Sequence, residues 1–560
     1  MRRIVTIILC LAALSALGQT YTSPFDFPLL LSANFGELRP NHFHGGIDVK
    51  TGGVTGKPIR SIGDGYVSRA LVEHGGFGQA VFVTHPDGLT SVYGHIMEFA
   101  PEVQAAVRER QYEEESFTVD LTFGPDEFPV KGGQLIAVSG NEGSSAGPHL
   151  HLELRRYEGL DKDRGTPAFD GDFSYIDPLP FFQNMIKDTT APRAHCVGIY
   201  PLRGEGVVSG GTKKKIVAAD QLNKPVTAWG KIYTAISAND YMDGTSNKYG
   251  VRSVTLYVDD EETFRSVTDE VRRTENRMIN GFIDYEDYQA NRRLLMRSAM
   301  LPGVRLGLLT TADSRGVVTI DEERDYRFRY VLEDAYGNRR TCSFTVRGVR
   351  QEIPDYVPRA DKMLHWDRAD VISLPGLELV APRGSVYEDT ELRTDVKADT
   401  AGVSAQYVLD IGRNPLHSPC RLAIAVTRRP VGDESKYYVE QRLRSWRGSA
   451  GGTMEDGWMT ADVRSLGTFS VKIDTVPPRV TPVGQASWGK TRDLQFKVTD
   501  EETGIYKYKV YVDGRFVLFG LKGSTLKICD RDRIERGVPH TAEVVLTDGC
   551  GNVTKQEFKF

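Results

Sequence analysis

Gly147-Pro148-His149-Leu150-His151-Leu152-Glu153-Leu154-Arg155 alternates polar and apolar residues without a break from His149 onward, the pattern of a half-buried strand. Side chains on such a strand alternate between faces. His149 and His151 therefore point one way, and Leu150, Leu152 and Leu154 point the other, into a core. Two imidazoles facing a common cavity suggest a division of labour, one binding a metal and the other moving protons. Upstream, His44-Gly45-Gly46-Ile47-Asp48 offers an imidazole and a carboxylate four positions apart. That step suits one face of a helix, but two glycines inside it make a helix improbable. A tight loop entering the strand Ile47-Asp48-Val49-Lys50 is expected instead, with glycines that let the backbone come close to an ion or a substrate. His42, His74, His85 and His95 complete a stretch that holds most of the chain's 11 histidines.

Two histidines and one aspartate, with a fourth position left to water, describe a catalytic zinc site. A structural site would more often use closely spaced cysteines, and this stretch has none. His44-x-Gly46-x-Asp48, then Tyr93-Gly94-His95, then Gly147-Pro148-His149-Leu150-His151 together resemble the signature of the lysostaphin and LytM-type zinc endopeptidases, which cut the peptide cross-links of bacterial cell walls. The resemblance covers roughly residues 25 to 185. It implies a mainly β fold: an N-terminal LytM-type β-sheet metallopeptidase domain built on a duplicated hybrid motif. It makes His44, Asp48 and His151 the ligands of one Zn2+ per chain, His95 and His149 the proton-transfer pair, and the peptide of peptidoglycan the substrate. In that family the metal activates water and polarises the scissile carbonyl, while the histidines take and return protons.

Which of His95 and His149 is the base stays open. The sequence departs from the family at His42, where arginine is frequent. His42-Phe43-His44 is a second His-x-His, and spacing alone does not say which imidazole binds; the four-residue step to Asp48 selects His44. A second departure is Pro101 to Glu127, an inserted segment rich in Glu and Arg that is expected to wall one side of the groove or to plug it. Two other functions fit the motifs. One is a non-catalytic protein that binds wall peptide or regulates another hydrolase; the other is a zinc amidase acting at the sugar-peptide junction. Every ligand position is filled, which favours the endopeptidase.

Taken in order, residues 1–18 read as a secretory signal peptide: Arg2 and Arg3, an apolar run from Ile4 to Leu14, then small residues. The run is too short for a stable membrane span, and no later stretch is long enough either. An exported protein is expected, periplasmic, secreted or on the cell surface. A net charge of -5 argues against a nucleic-acid partner. At 560 residues the chain is too long for one core. The expected division is a metallopeptidase domain over 19–187, a β-sandwich over 188–350, a β-rich middle domain over 351–473 and a second β-sandwich over 474–560.

The two sandwiches are read from a repeat. Asp188-Thr189-Thr190-Ala191-Pro192-Arg193 returns as Asp474-Thr475-Val476-Pro477-Pro478-Arg479, and the turn from Asp334 to Gly337-Asn338 returns as Asp548 to Gly551-Asn552. Both copies resemble bacterial immunoglobulin-like modules. The first carries extra residues, placed at 264–300 and expected to form a helical excursion. Five cysteines follow the signal, an odd number for an exported protein, and Cys196 with Cys342 or Cys529 with Cys550 are possible pairs. His85 reads as a turn residue and His74 as solvated. The acidic groups Asp259 to Glu262 and Asp500 to Glu502 lack the spacing of a calcium loop and read as solvated turns.

Overall fold

Leu150, Leu152 and Leu154 are fully buried on the nine-residue strand His149–Tyr157, as the alternation requires. Each leucine withdrawn from water contributes ~1.5–3 kcal/mol, so one apolar face fixes the direction of every polar side chain on the other. The computed structural model describes residues 20–560 except Thr400 and Ser445; the expected signal peptide, with Cys10, lies outside the described residues.

The strand sits near the centre of an antiparallel sheet. Its order is Leu31–Ala33, Gly46–Lys50, His149–Tyr157, Leu89–Gly94, Gln79–Thr84, Gly65–Val72 and Val119–Thr122. A three-stranded sheet of Pro58–Arg60, Leu135–Ser139 and Ile96–Phe99 shares one hydrophobic cluster with it, where Ile59, Ile96 and Ile136 join Ile47, Val49 and the three leucines. The polar face of the two ligand-bearing strands lies opposite that core. The first part of the inserted segment, Pro101–Glu113, is a helix, and Val103 and Val107 seat it in the same core.

Beyond residue 187 the buried side chains fall into three further large clusters, centred on residues 197–346, 364–471 and 480–558. The last two regions each form a pair of β-sheets, of six and five strands and of four and four strands. The region after residue 188 differs from a plain sandwich. Its ten strands form one hydrogen-bonded sheet, eight on a continuous path and two branching from Val226–Asn239, because Val226–Asn239 pairs in parallel with Arg339–Gly348 while the long strand Arg193–Val208 bends at two register shifts.

The extra residues of the first copy are only partly helical. They include the short strand Glu270–Arg272, a 3-10 turn over Arg273–Met278 and the helices Ile279–Phe282 and Tyr285–Asn291. Glu270–Arg272 pairs with Phe173–Ile176 and so extends the N-terminal sheet. Neither expected disulfide forms: Cys196, Cys342, Cys420, Cys529 and Cys550 are all free. No helix among the described residues is long and apolar enough to cross a membrane.

Leu152→Ala should cost ~2–5 kcal/mol, the range for a truncated core leucine. It should be read as a lowered urea midpoint for the transition that unfolds the N-terminal sheet. A midpoint shift equivalent to less than 1 kcal/mol, on the order of a surface change, would contradict the core role of the leucine face.

Candidate metal centre

Antiparallel register places Asp48 directly opposite His151 and Lys50 opposite His149. Both ligand types therefore leave the same face of neighbouring strands at cross-strand contact distance. His44 arrives from the loop just before Gly46–Lys50. Gly46 is needed there for packing against the neighbouring strand: an added Cβ would run into the Leu152 carbonyl, and one on Gly45 would meet the Tyr175 ring and Glu153. These glycines thus admit His149–Tyr157 rather than an ion or a substrate.

Three atoms converge. His44 Nε2 lies 3.1 Å from Asp48 Oδ1 and 3.0 Å from His151 Nδ1, and His151 Nδ1 lies 2.8 Å from Asp48 Oδ1. All three residues are buried. Ligands bonded at 2.0–2.1 Å to a tetrahedral ion stand ~3.3 Å apart, so the residues present fit a small divalent ion. His42 is exposed and turns its Nδ1 to the Pro40 carbonyl, outside the triangle.

Proton placement makes the fit specific. A carbonyl or carboxylate oxygen can only accept, so the ring nitrogen facing it carries the proton. His44 Nδ1 donates to the Asn34 carbonyl at 2.7 Å, and His151 Nε2 donates to Glu153 Oε1 at 2.8 Å. Their other nitrogens then point lone pairs at a carboxylate oxygen, an arrangement that calls for a cation at the centre. Without one, a proton must serve. Despite burial, the hydrogen bonds that Asp48 and Glu153 accept from it raise the His151 pKa to about 9, while burial lowers that of His44. Burial also opposes ionisation of Asp48, but His44 and the hydrogen bonds from His149 and His151 hold it well below the ordinary carboxylate range.

The supporting groups were legible only in part. Glu153 continues the alternation from His151, yet its orienting role comes from contact, as does that of Arg155, whose Nε donates to Glu153 Oε2 at 2.6 Å. Burial alone would push Glu153 up; Arg155 and His151 hold it at about 2. Arg39, which carries no sequence signal, donates to Asp48 Oδ2 at 2.9 Å. Asn34 reaches His44 from a neighbouring turn.

His95 and His149 flank the triangle, with ring centroids 4.8 Å apart and His95 5.8 Å from His151. His95 has φ 61°, where the chain leaves Leu89–Gly94 for Ile96–Phe99. Gly94 precedes it because a Cβ there would meet Phe77. His95 Nδ1 donates to the Glu142 carbonyl and His149 Nδ1 to the Gly147 carbonyl, both at 2.8 Å. Each keeps Nε2 free of protein carbonyls, and His149 Nε2 stands 3.5 Å from Asp48 Oδ1. Burial first, then His151 and His149, push the His95 pKa down to about 4, so it is neutral at neutral pH.

The other histidines of the stretch have structural partners. His85 is buried, bonded to the Asp64 carbonyl and Ser91. His74 is exposed but stacks on Phe117 and touches Tyr508. The segment after Pro101 faces the C-terminal region rather than the triangle: Tyr112 bonds Asp530, Glu115 pairs with Lys509, and Tyr511 bonds Glu115.

Residues 42–112, which contain His44, Asp48 and His95, match the model for Peptidase family M23. The matched segment is thus similar to M23 peptidases of the LytM type. The M23 match stops before His151, which completes the triangle, and before His149, which flanks it. A DD-carboxypeptidase/endopeptidase Mpg of Neisseria meningitidis is 32% identical over 112 residues, 20% of this chain and 20% of that protein. An uncharacterized metalloprotease of Haemophilus influenzae is 31% identical over 133 residues, 24% of this chain and 22% of the other. The chain thus spans about a fifth of the length of the curated relatives it matches. The catalytic domain of lysostaphin from Staphylococcus simulans, at 21% identity and a TM-score of 0.18, covers 28% of this chain and 92% of its own. Residues 361–474 match a Zu5-like domain.

A metal held by this triangle would compete with a proton for His151. Its pKa is raised to about 9 in the metal-free chain, so below that pH metal binding must displace a proton, and affinity should climb ~tenfold per pH unit up to about 9 and then level off. Zinc calorimetry at pH 7 in buffers of different ionisation enthalpy should show about one proton released per ion. Release of none would contradict the proton-filled triangle.

Proposed function

We propose that the N-terminal domain, residues 19–187, is a zinc-dependent endopeptidase acting on the peptide cross-links of bacterial peptidoglycan in an exported protein. In this reading the modules over 188–350, 351–473 and 474–560 follow it. The observation that carries the proposal is the convergence of His44 Nε2, Asp48 Oδ1 and His151 Nδ1 within about 3 Å of one another, with two further imidazoles alongside. The M23 match and the similarity to the DD-carboxypeptidase/endopeptidase of Neisseria support the substrate class.

His44, Asp48 and His151 would hold the ion. A zinc ion bound there would supply Lewis-acid polarisation of the scissile carbonyl and bring the pKa of a water toward ~7. The chain's own groups manage protons and orientation. His95 is kept neutral beside His149 and His151, with its Nε2 ready to accept a proton. His149 holds its Nδ1–H on Gly147 and presents Nε2 beside Asp48, placed to pass a proton to the leaving amine or to steady negative charge on the carbonyl oxygen. Arg39 and Glu153 keep the Asp48 and His151 ligand atoms aimed inward.

Digestion of purified peptidoglycan by the zinc-loaded chain, followed by mass analysis, should yield opened cross-links. Freed stem peptides would make it an amidase, and no product a binding protein. His151→Ala should lose zinc. His149→Ala should keep zinc and lose on the order of 10² to 10⁴ in rate, the contribution of a positioned acid or base. A zinc-loaded His149→Ala chain that cleaves at the wild-type rate would refute the assignment.

A further inference from the structure

We propose that Asp188, Asp240 and Asp334 form a calcium site at the junction between the peptidase domain and the module that follows it. Their carboxylate oxygens lie within 4.8 Å of one another, and the residues are 7%, 1% and 1% exposed. Asp188 Oδ2 and Asp240 Oδ1 are buried with no hydrogen-bond partner. The charged groups acting on Asp188 and Asp240 are other carboxylates, and burial together with that repulsion pushes their pKa values up to about 6 and about 8. A buried, oxygen-only set of three carboxyl groups suits a hard cation of flexible coordination, which is calcium rather than zinc.

The scaffold around the cluster is built twice. Arg193 pairs with Asn239 as Arg479 pairs with Thr499, so Asp240 and Asp500 each follow the same step of equivalent strands. Asp474, Asp500 and Asp548 form the matching group, in which half-buried Asp500 also caps the turn expected there by accepting the Glu502, Thr503 and Gly504 amides. Asn338 Nδ2 bridges the Asp188 carbonyl and Asp334 Oδ2, and Asn552 Nδ2 bridges the Asp474 carbonyl and Asp548 Oδ2. The copies differ at the oxygen that matters: the Thr503 hydroxyl donates to Asp474 Oδ2 at 2.7 Å, whereas Asp188 Oδ2 has no such donor. The first cluster is therefore the one left for an ion.

Its position gives the ion something to hold. Asp240 exchanges two backbone hydrogen bonds with Tyr249, each 3.0 Å. The next residue, Gly250, is clasped by the Asn34 side chain at 2.9 and 2.8 Å, and the Asn34 carbonyl orients His44. A cation on Asp240 thus stiffens a loop whose far end supports the metal centre.

The test uses the zinc-loaded full chain titrated with calcium chloride, read by calorimetry and by hydrogen exchange. Calcium should bind and slow exchange in peptides covering 188–190, 240–250 and 334–338. Asp240→Asn, with Asp188→Asn as a second variant, should abolish that protection, and the calcium-free variants should melt no lower than the calcium-free wild type, because a neutral amide is no harder to bury there than the crowded carboxyl it replaces. Asp500→Asn should leave the protection intact. No calcium binding, protection confined to the 474, 500 and 548 cluster, or protection that survives in both variants would overturn the proposal.

Discussion

Each of the four histidines around the centre spends one ring nitrogen as a donor to a fixed oxygen: Asn34, Glu142, Gly147 or Glu153. That choice settles where every proton sits. It turns the remaining nitrogens toward one small volume and leaves two lone pairs facing a carboxylate, which is stable around a cation and unstable around nothing. The antiparallel register, the leucine face and Gly46 all serve to put those nitrogens where the hydrogen bonds can hold them.

The acceptors themselves are anchored well beyond the sheet. Asn34 is clasped by Gly250 of the following module. Phe43, next to His44, is buried in that module's cluster, with its amide held by Asn276 at 2.6 Å. The extra residues of the first repeat therefore act as a brace for the ligand loop. On the opposite side the C-terminal region packs against the helix Pro101–Glu113 and donates from Lys522 to the Asn141 carbonyl, beside the loop that holds His95. The peptidase domain is gripped by two separate parts of the chain, the module that follows it and the C-terminal region, and the inserted segment is the platform for the second grip.

Much of this was readable in sequence where a periodic signal existed. The alternation from His149 to Arg155 gave the strand, its buried face and the partnership of its histidines, and the order of the three motifs gave the family. Aspartates and glycines recurring at fixed places revealed the repeated modules. What escaped reading was long-range pairing. Arg39, Asn34 and Glu142 act through one atom each, brought in by turns that carry no pattern. Asp240 lies far in sequence from Asp188 and Asp334, so three charges that look solvated one at a time share a buried space. The expected disulfides failed because thiol count reports a compartment and not a distance.

The central claim is that two imidazoles and one carboxylate, from two neighbouring strands and the loop before one of them, grip a single ion. X-ray absorption at the zinc edge of the stoichiometrically loaded full chain tests it directly. The account predicts a first shell of nitrogen and oxygen only, at ~2.0–2.2 Å, with two imidazole scattering patterns. A shell containing sulfur at ~2.3 Å, or one without imidazole, would contradict it.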